Sequence, residues 1–372
     1  MTPRDQPPFR ADHVGSLLRP PALLQARAQA AAGEITPAQL EAAEDTAITE
    51  VVRLQEDLGL QSATDGEFRR TSWHMDFIYQ LQGVSRTDDQ IQVHFRNAQG
   101  DLDFTSAALA IDGKIGIERA IFGDAFTFLR SAVRTATPKL TIPSPSMVHY
   151  RGGPAAIDRS VYPDDEEFWS DLSAAYATQV REIAALGCTY LQLDDTSLAY
   201  LNDPAQRADL AAKGADAEHQ HERYIKQINA AIGDRPAELR ITTHMCRGNF
   251  RSSWTAEGGY DFVAEALFGG LEVDGFFLEY DDARSGGFEP LRFVPPGKFV
   301  VLGLVTTKRP ELESKDELKR RIDEAAKFVP LEQLCLSGQC GFSSTVEGNR
   351  LTLDEEKAKL ALIVETAAEV WS

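Results

Sequence analysis

The sequence predicts an α/β fold, a TIM (β/α)8 barrel, and three observations support this prediction. Eight short segments rich in apolar or β-branched residues occur along the chain, and stretches with helical periodicity separate most of them. The length of 372 residues suits one barrel with additions as well as two ordinary domains. Neither a Gly/Ser linker nor an internal repeat divides the chain, so we expect a single domain over residues 1–372. An open doubly wound sheet is the alternative, but few open sheets use eight units.

The predicted strands are short, and several are nearly continuous apolar runs, which is typical of strands buried on both faces. In chain order they lie at residues 11–16, 60–67, 138–147, 189–195, 238–246, 275–281, 298–306 and 333–341. The seventh, KFVVLGLVT, shows the pattern most clearly.

Helical patterns lie between these strands. A helix is expected to begin after Thr36, because Thr36 and Gln39 can form a capping box and Pro37 suits the first helical position. Further helices are predicted at 165–186, 204–232, 315–328 and 353–370. Residues 82–136 are too many for one crossover connection, so we expect an inserted β-hairpin or meander after strand two, over about 85–117.

Charge and composition exclude several classes of function. The chain has 38 Lys and Arg against 57 Asp and Glu, a net charge of −19, which argues against binding to nucleic acid or to an anionic membrane. No apolar run reaches the roughly 18 residues of a membrane span, and the N-terminal residues lack the apolar segment of a secretory signal. Four cysteines are too few for a disulfide framework. We therefore expect a cytoplasmic protein with small-molecule partners, and a homo-oligomer stays open.

Reactive side chains concentrate at the ends of the predicted strands. In a TIM barrel the active site lies at the carboxyl ends of the strands, so these residues would share one mouth. They are His13, Ser16, Asp65, Glu67, Asp194, Asp195, His244, Cys246, Glu279 and Cys340.

The segment His244-Met245-Cys246 is the sharpest local signal. Side chains at positions i and i+2 of a strand share one face, about 7 Å apart, so this histidine and cysteine can reach one metal ion. Glu279 and Cys340 end strands six and eight and could complete a tetrahedral shell. One imidazole, two thiolates and one carboxylate favour zinc. The alternative is that the cysteines are only buried, which is how we interpret Cys188 and Cys335.

The charge of such a shell indicates a chemical role. Two thiolates and one carboxylate around Zn²⁺ sum to −1, which makes the ion a poor activator of water and a good partner for an electron-rich thiolate. A substrate thiol held there would have a lowered pKa and would stay nucleophilic at neutral pH. An exchangeable Glu279 would open the position that this thiol needs.

The motifs also resemble those of a known family. THMCRGN, FFLEYDD, QCGF, LQLDD, DGEFRR and DHVGS occur in the order of the catalytic barrel of cobalamin-independent methionine synthase, and the likeness to its short single-barrel relatives is closer still. The likeness extends from about residue 10 to residue 370. It implies a zinc-dependent S-methyltransferase on a TIM-like barrel, with methyltetrahydropteroyl-glutamate as the family's methyl donor.

The resemblance also implies roles for individual residues. It places the zinc ion on His244, Cys246, Glu279 and Cys340, and homocysteine on Val14, Gly15, Ser16, Glu67 and Asp194. The chemistry agrees, because the ammonium group of a free amino acid pairs with carboxylates. The substrate carboxylate in turn needs N–H and hydroxyl donors such as those of Gly15 and Ser16. We therefore assign Glu67 and Asp194 to fixing the amine so that the sulfur is aimed at the methyl group.

This sequence departs from the family at the donor side. The stretch after strand three reads SPSMVHYRGG and lacks the family's tryptophan, for which Tyr150 is the nearest substitute. Val305 stands nearest the position of the family's proton-donor histidine. Asp195, His149 and Tyr150 are the candidate acids, and the methyl donor is left open between a folate and another compound.

Two further groups have alternative interpretations. Among the arginines that follow strand ends, Arg247 is the best candidate to bind a substrate anion, while salt bridges at the rim are the simpler role for the others. Trp73 and His74 could line a cofactor face or cover the core.

The sequence therefore predicts a zinc-dependent S-methyltransferase that converts a small thiol, homocysteine, to methionine. A zinc-dependent thiol alkyltransferase that opens epoxides with a thiol-sulfonate is the first alternative. A non-catalytic zinc- or thiol-binding protein is the second. A metal-free hydrolase that uses Asp194 and Glu67 as a carboxylate pair is the third.

Overall fold

The computed structural model describes residues 4–97 and 100–372, and within them a parallel sheet curls around a central core. The described strands are β1 (Ser62–Ala63), β2 (Gln82–Asn97), β3 (Gly100–Gly116), β4 (Thr137–Pro143), β5 (Tyr190–Asp195), β6 (Arg240–Met245), β7 (Gly275–Glu279), β8 (Phe299–Val305) and β9 (Leu334–Gly338). Seven of them form the curled sheet, in the order β1, β4, β5, β6, β7, β8, β9. The predicted α/β class with a curled parallel sheet is confirmed.

Helices alternate with the strands of this sheet. In chain order they are α1 (Pro21–Ala31), α2 (Pro37–Asp57), α3 (Met75–Ile78), α4 (Gly123–Ala132), α5 (Ser146–Gly152), α6 (Asp165–Ala185), α7 (Ser197–Tyr200), α8 (Pro204–Ala212), α9 (Gln220–Ile232), α10 (Ala264–Gly270), α11 (Lys315–Ala325) and α12 (Leu353–Val370). The capping box at Thr36 is present, with the Gln39 side chain accepting from the Thr36 N–H at 2.8 Å. The helix predicted over 204–232 is instead two helices, because Gly214 adopts a left-handed conformation (φ 86°) between them.

The first two predicted strands are less regular than expected. Residues 11–16 contribute only a parallel bridge from Ala11 to Leu336 of β9, and the second strand is reduced to the two residues of β1. A side chain explains why β1 is so short. The Gln55 amide accepts from the N–H of Thr64 and donates to its C=O, each at 2.9 Å, and so takes the place of a neighbouring strand. The Leu17 N–H donates to Gly66 O at 3.1 Å, so the segment 10–17 contacts both edges of the sheet, as an eighth strand of a TIM-like barrel would.

A two-stranded antiparallel ribbon, β2 with β3, stands apart from the curled sheet. These two strands occupy the part of the chain where an insertion was expected, about 85–117. Residues 98–99 lie outside the described part of the chain. The ribbon joins the loop after β6, since Arg96 and Trp254 exchange backbone hydrogen bonds of 2.7 and 2.9 Å. Val93 and Phe95 pack there against Phe250.

The amino ends of the strands are closed by a buried polar network. Lys139 near the start of β4 pairs with Asp12 at 3.3 Å, and both side chains are fully buried. The Tyr190 hydroxyl donates to the same carboxylate at 2.8 Å. Each group thus has a partner, as buried charges require. Over residues 4–97 and 100–372, no helix combines the length and the apolar character needed to cross a membrane.

Glu356 at the start of α12 gives a prediction about stability. It is 1% exposed, and burial raises its pKa to about 8, although the N–H that Leu18 donates to it at 2.8 Å opposes this rise. Between its ordinary value of 4.5 and about 8, the folded state then binds more protons than the unfolded state, so this residue makes the protein less stable as pH rises through that window.

We expect Glu356→Gln to leave the free energy of unfolding nearly unchanged at pH 5, because the amide oxygen can still accept from Leu18. At pH 8.5 the free energy of unfolding of the variant should exceed that of the wild type by about 1–3 kcal/mol. Denaturant unfolding at both pH values measures the difference. An equal difference between variant and wild type at the two pH values would contradict the assignment.

Candidate active site

Three predicted ligand residues meet at the carboxyl ends of the strands. His244 lies in β6, Cys246 follows that strand, and Cys340 lies two residues beyond β9. Their ligand atoms are all within 4.8 Å of one another, and the two sulfurs are 3.3 Å apart. All three side chains are buried. One imidazole and two thiols at this spacing can hold a soft or borderline metal ion such as zinc.

The orientation of His244 suits such a role. Its Nδ1 lies 3.3 Å from Asp194 Oδ1, and Asp194 is itself held by the Gln192 amide at 2.7 Å. Histidines that bind metals commonly give their second ring nitrogen to a carboxylate, which fixes the ring and its tautomer. The other ring nitrogen, Nε2, lies 3.3 Å from the backbone oxygen of Gln339, the residue that precedes Cys340.

The two thiols differ in their affinity for protons. The hydrogen bond from Cys246 lowers the pKa of Cys340 well below its usual range, against the opposing effect of burial, and His244 adds to this lowering. Burial lowers the pKa of His244, but hydrogen bonds to Asp194 and Cys340 outweigh it and raise the pKa to about 10. The group therefore favours a thiolate beside an imidazolium, and a metal ion would have to displace the imidazolium proton.

Glu279 lies outside this group of three in the described structure, and its place in a four-residue shell stays a prediction. The carboxylate at the end of β7 is fully buried and accepts from the Arg247 backbone N–H at 3.0 Å. It forms ion pairs with Arg284 and, at 3.5 Å, with Lys308. Burial would raise the pKa of Glu279, but Lys308, Arg284 and Arg247 together hold it at about 2. Two neighbouring cations thus compete with any metal for this carboxylate.

A cleft of about 1040 Å³, counted with its space open to solvent, leads to the three ligand residues. Its lining includes carboxylates and a set of aromatic side chains that we call the aromatic wall: Trp73, Tyr79, Phe95, Tyr200 and Phe250. The residues that matter for its chemistry are Val14, Ser16, Glu67, Trp73, His74, Tyr79, Arg86, Val93, Phe95, Asp194, Asp195, Tyr200, His244, Cys246, Phe250 and Cys340. The cleft therefore combines charged and apolar side chains, as small-molecule sites commonly do.

Glu67 is held in an unusual backbone conformation at this cleft. Its φ is 61°, which non-glycine residues rarely adopt, and Arg19 binds its carbonyl oxygen at 2.8 Å. Its carboxylate accepts from the Thr141 hydroxyl at 2.8 Å. Burial raises the pKa of Glu67 to about 7; Asp194 adds to this rise, and Arg70, 3.6 Å away, opposes it. A cation placed between Glu67 and Asp194 would relieve their repulsion.

The predicted substrate-binding residues fall into two sets. Val14, Ser16, Glu67 and Asp194 line the cleft. Gly15 lies beside them with φ 146°, and a Cβ there would come within 2.7 Å of Thr141 Cγ2, so this position needs glycine.

Tyr150 and Arg247 are not among the described residues that line the cleft, and their role in substrate binding stays a prediction. The Tyr150 hydroxyl donates to Gln206 at 3.2 Å. The Arg247 guanidinium is buried and donates to Gly258 O at 2.9 Å and to the Tyr260 hydroxyl at 3.0 Å. In the described structure the Arg247 guanidinium therefore holds the loop after β6.

The candidate acids are similarly constrained. Asp195 reaches the cleft, but its carboxylate accepts from the hydroxyls of Ser146 at 2.5 Å and Ser197 at 2.8 Å. His149 is bonded to Tyr224 at 3.0 Å and packs against Trp169. Burial lowers the pKa of His149 to about 4, so this side chain is a poor reservoir of protons at neutral pH.

Sequence reasoning missed most of the aromatic wall. Val93 and Phe95 come from the ribbon, and their i and i+2 spacing in an alternating segment was the available signal. Phe250 and Tyr200 carried no signal that the sequence alone could separate from core packing. Trp73, for which two roles were open, lines the cleft with its ring centroid 4.3 Å from that of His74.

Comparison with known proteins gives a consistent answer. The family model described as the catalytic domain of cobalamin-independent synthase matches residues 105–369. The chain is 46% identical over 379 residues to the protein YxjG of Bacillus subtilis (strain 168), covering 99% of this chain and 96% of YxjG. It is 24% identical over 328 residues to a methionine synthase of Pyrococcus abyssi, covering 88% of this chain and 84% of that protein.

A solved structure agrees with these matches in sequence. The crystal structure of the putative vitamin-B12-independent methionine synthase of Listeria monocytogenes superposes with a TM-score of 0.78 and 38% identity, covering 99% of this chain and 100% of that one. The family model alone spans well over half of the present chain. The chain belongs to the cobalamin-independent methionine synthase family, whose members are methyltransferases of the methionine synthase type.

Proposed function

We propose that this protein is a zinc-dependent S-methyltransferase that methylates homocysteine to methionine. The observation that carries the proposal is the group of His244, Cys246 and Cys340 at the floor of a cleft that Glu67 and Asp194 also line. An amino-acid thiol needs both features, a place for its sulfur and anionic partners for its ammonium group.

The donor set fits zinc. Two thiols and an imidazole are the ligands that zinc takes from proteins, and the Asp194–His244 hydrogen bond supplies the usual support behind a metal-binding histidine. Zinc, when bound, would hold the substrate sulfur as a thiolate and keep it nucleophilic at neutral pH. Glu279 stays a proposed fourth ligand that exchanges with the substrate.

The side chains of the cleft have separate tasks in this proposal. Glu67 and Asp194 bind the ammonium group, and Asp194 also orients His244. Ser16 and the backbone around Gly15 bind the substrate carboxylate. In the reaction the S–CH3 bond forms and the bond between the methyl group and the donor breaks; the thiol proton ends on the donor's leaving atom. Holding the amine and the sulfur at two points aims the sulfur at the methyl carbon.

The aromatic wall is the proposed site of the methyl donor, a folate or another compound with a flat ring. Replacing Trp73 with alanine removes the largest ring of this wall, and we expect the KM for the donor to rise about tenfold, which corresponds to the 0.5–1.5 kcal/mol of an aromatic contact plus lost apolar burial. The KM for the thiol should change less than threefold. Initial rates with each substrate varied in turn measure both values, and Trp73→Phe should keep most of the affinity. Equal changes in the two KM values would contradict the assignment.

The function itself is tested by supplying purified, zinc-loaded protein with homocysteine and with a thiol-sulfonate, each combined with methyl donors and an epoxide. Methionine formed from homocysteine and one donor supports the proposal. Epoxide opening by the thiol-sulfonate would replace it, although the arginine expected to bind a sulfonate, Arg247, is engaged elsewhere. Zinc and homocysteine binding without any turnover would indicate a non-catalytic relative.

A further inference from the structure

Lys308 is a buried cation close to the metal-ligand group. It lies three residues after β8, and its side chain is 4% exposed. Its Nζ is 3.5 Å from Glu279 Oε1 and has no hydrogen-bond partner among the residues that the structure describes. Lysine is rarely buried this deeply without an anionic partner, and Glu279 is the carboxylate that pairs with Lys308.

Arg284 completes the surroundings of Glu279. It pairs with Glu279 and with Asp282, and it also pairs with Asp281 at 3.0 Å. Its guanidinium lies 4.8 Å from the centre of the Trp254 ring, which limits its movement. Lys308 is the second cation at Glu279, and it also opposes the rise that burial causes in the pKa of Asp281, so these two carboxylates share its charge.

Glu279 is thus adjacent to the metal-ligand group without belonging to it. Its Oε2 accepts from the backbone N–H of Arg247, the residue that follows Cys246. A metal ion that the three other residues hold would therefore compete with these cations for the Glu279 carboxylate. Lys308 cancels the charge of Glu279, so a metal ion beside the two cysteines would gain little from this carboxylate while the lysine is in place.

We propose that Lys308 is a positioning residue that draws Glu279 away from the metal and so opens the fourth coordination position to the substrate sulfur. This inference rests on the proposed function, since it assumes a metal on His244, Cys246 and Cys340. Lys308 is absent from the described residues that line the cleft, so it acts through Glu279 and not on the substrate. Without its charge, Glu279 becomes the better ligand and competes with the thiol.

The test compares wild type with Lys308→Met and Lys308→Arg, all loaded with one zinc per chain. X-ray absorption at the zinc edge counts sulfur ligands before and after homocysteine is added, and competition with a chelator gives the zinc affinity. Wild type and Lys308→Arg should gain one sulfur. Lys308→Met should bind zinc more tightly and should need at least about tenfold more homocysteine for the same gain, in the range expected when a residue behind a metal ligand is changed.

A second variant separates this role from a general structural defect. In the double variant Lys308→Met/Glu279→Gln the competing carboxylate is gone, so homocysteine affinity should return to within about threefold of wild type. A misfolded site would not recover in this way. If Lys308→Met takes up homocysteine as wild type does, or if the double variant fails to recover, the role of Lys308 is overturned. If the wild type itself holds no zinc or gains no sulfur, the proposed function fails instead.

Discussion

Serine at position 246 or 340 is expected to remove both the metal and the activity. Each substitution replaces a thiolate by a hydroxyl that binds zinc poorly, and only two other protein ligands then remain in the group described. Zinc affinity should fall by well over about 100-fold, beyond the 10–100-fold that loss of a supporting residue costs. Methyl transfer should fall at least as far, since the substrate sulfur loses its partner. Metal analysis after dialysis against a weak chelator, together with initial rates, measures both effects.

The chain supplies matched controls for this experiment. Cys188 and Cys335 are also buried, at 1% and 0% exposure, and lie outside the metal-ligand group. Cys188→Ser and Cys335→Ser impose the same chemical change and should keep about one zinc per chain, with at most a modest loss of thermal stability. Retention of stoichiometric zinc by both Cys246→Ser and Cys340→Ser would refute the ligand assignment and the function built on it.

Glu67→Gln is expected to give the second large effect, on recognition of the thiol substrate. An amide cannot supply the charge that the ammonium group pairs with, and a hydrogen bond between charged groups contributes about 1.5–3 kcal/mol, so kcat/KM for homocysteine should fall about 10- to 150-fold. Zinc content should be unchanged, because Glu67 is outside the metal-ligand group. Glu356→Gln makes the same change at a buried glutamate outside the cleft and should leave kcat/KM unaltered.

The pH dependence gives a second measure of Glu67. Because its pKa is raised to about 7, the carboxylate is ionised above that pH and loses its charge as pH falls through it. For wild type, kcat/KM for homocysteine should therefore decline about tenfold per pH unit below pH 7, a limb that reports the free enzyme. In Glu67→Gln this limb should be absent. Its persistence in the variant would assign the titration to another group.

Local sequence patterns were enough for the parts of the protein that depend on near neighbours. The capping box at Thr36 needs only residues three apart, and the shared face of His244 and Cys246 follows from strand geometry. The barrel-like α/β class followed from the alternation of apolar runs and helical periods. Patterns of this kind depend on interactions between residues a few positions apart, so they do not depend on tertiary contacts.

The sequence alone did not predict which side chains from distant segments meet in one buried site. Cys340 meets Cys246 across 94 positions only because the sheet curls, and the ribbon brings Phe95 to the same cleft. The partners of Glu279 and Arg247 could not be inferred from residue spacing either: Lys308 and Arg284 pair with Glu279, and Gly258 O and the Tyr260 hydroxyl accept from Arg247, because these interactions depend on distance in space. The sequence by itself therefore determined the reactive residues and their strands, while the tertiary structure decided which of those residues are left to act and which are held by a partner.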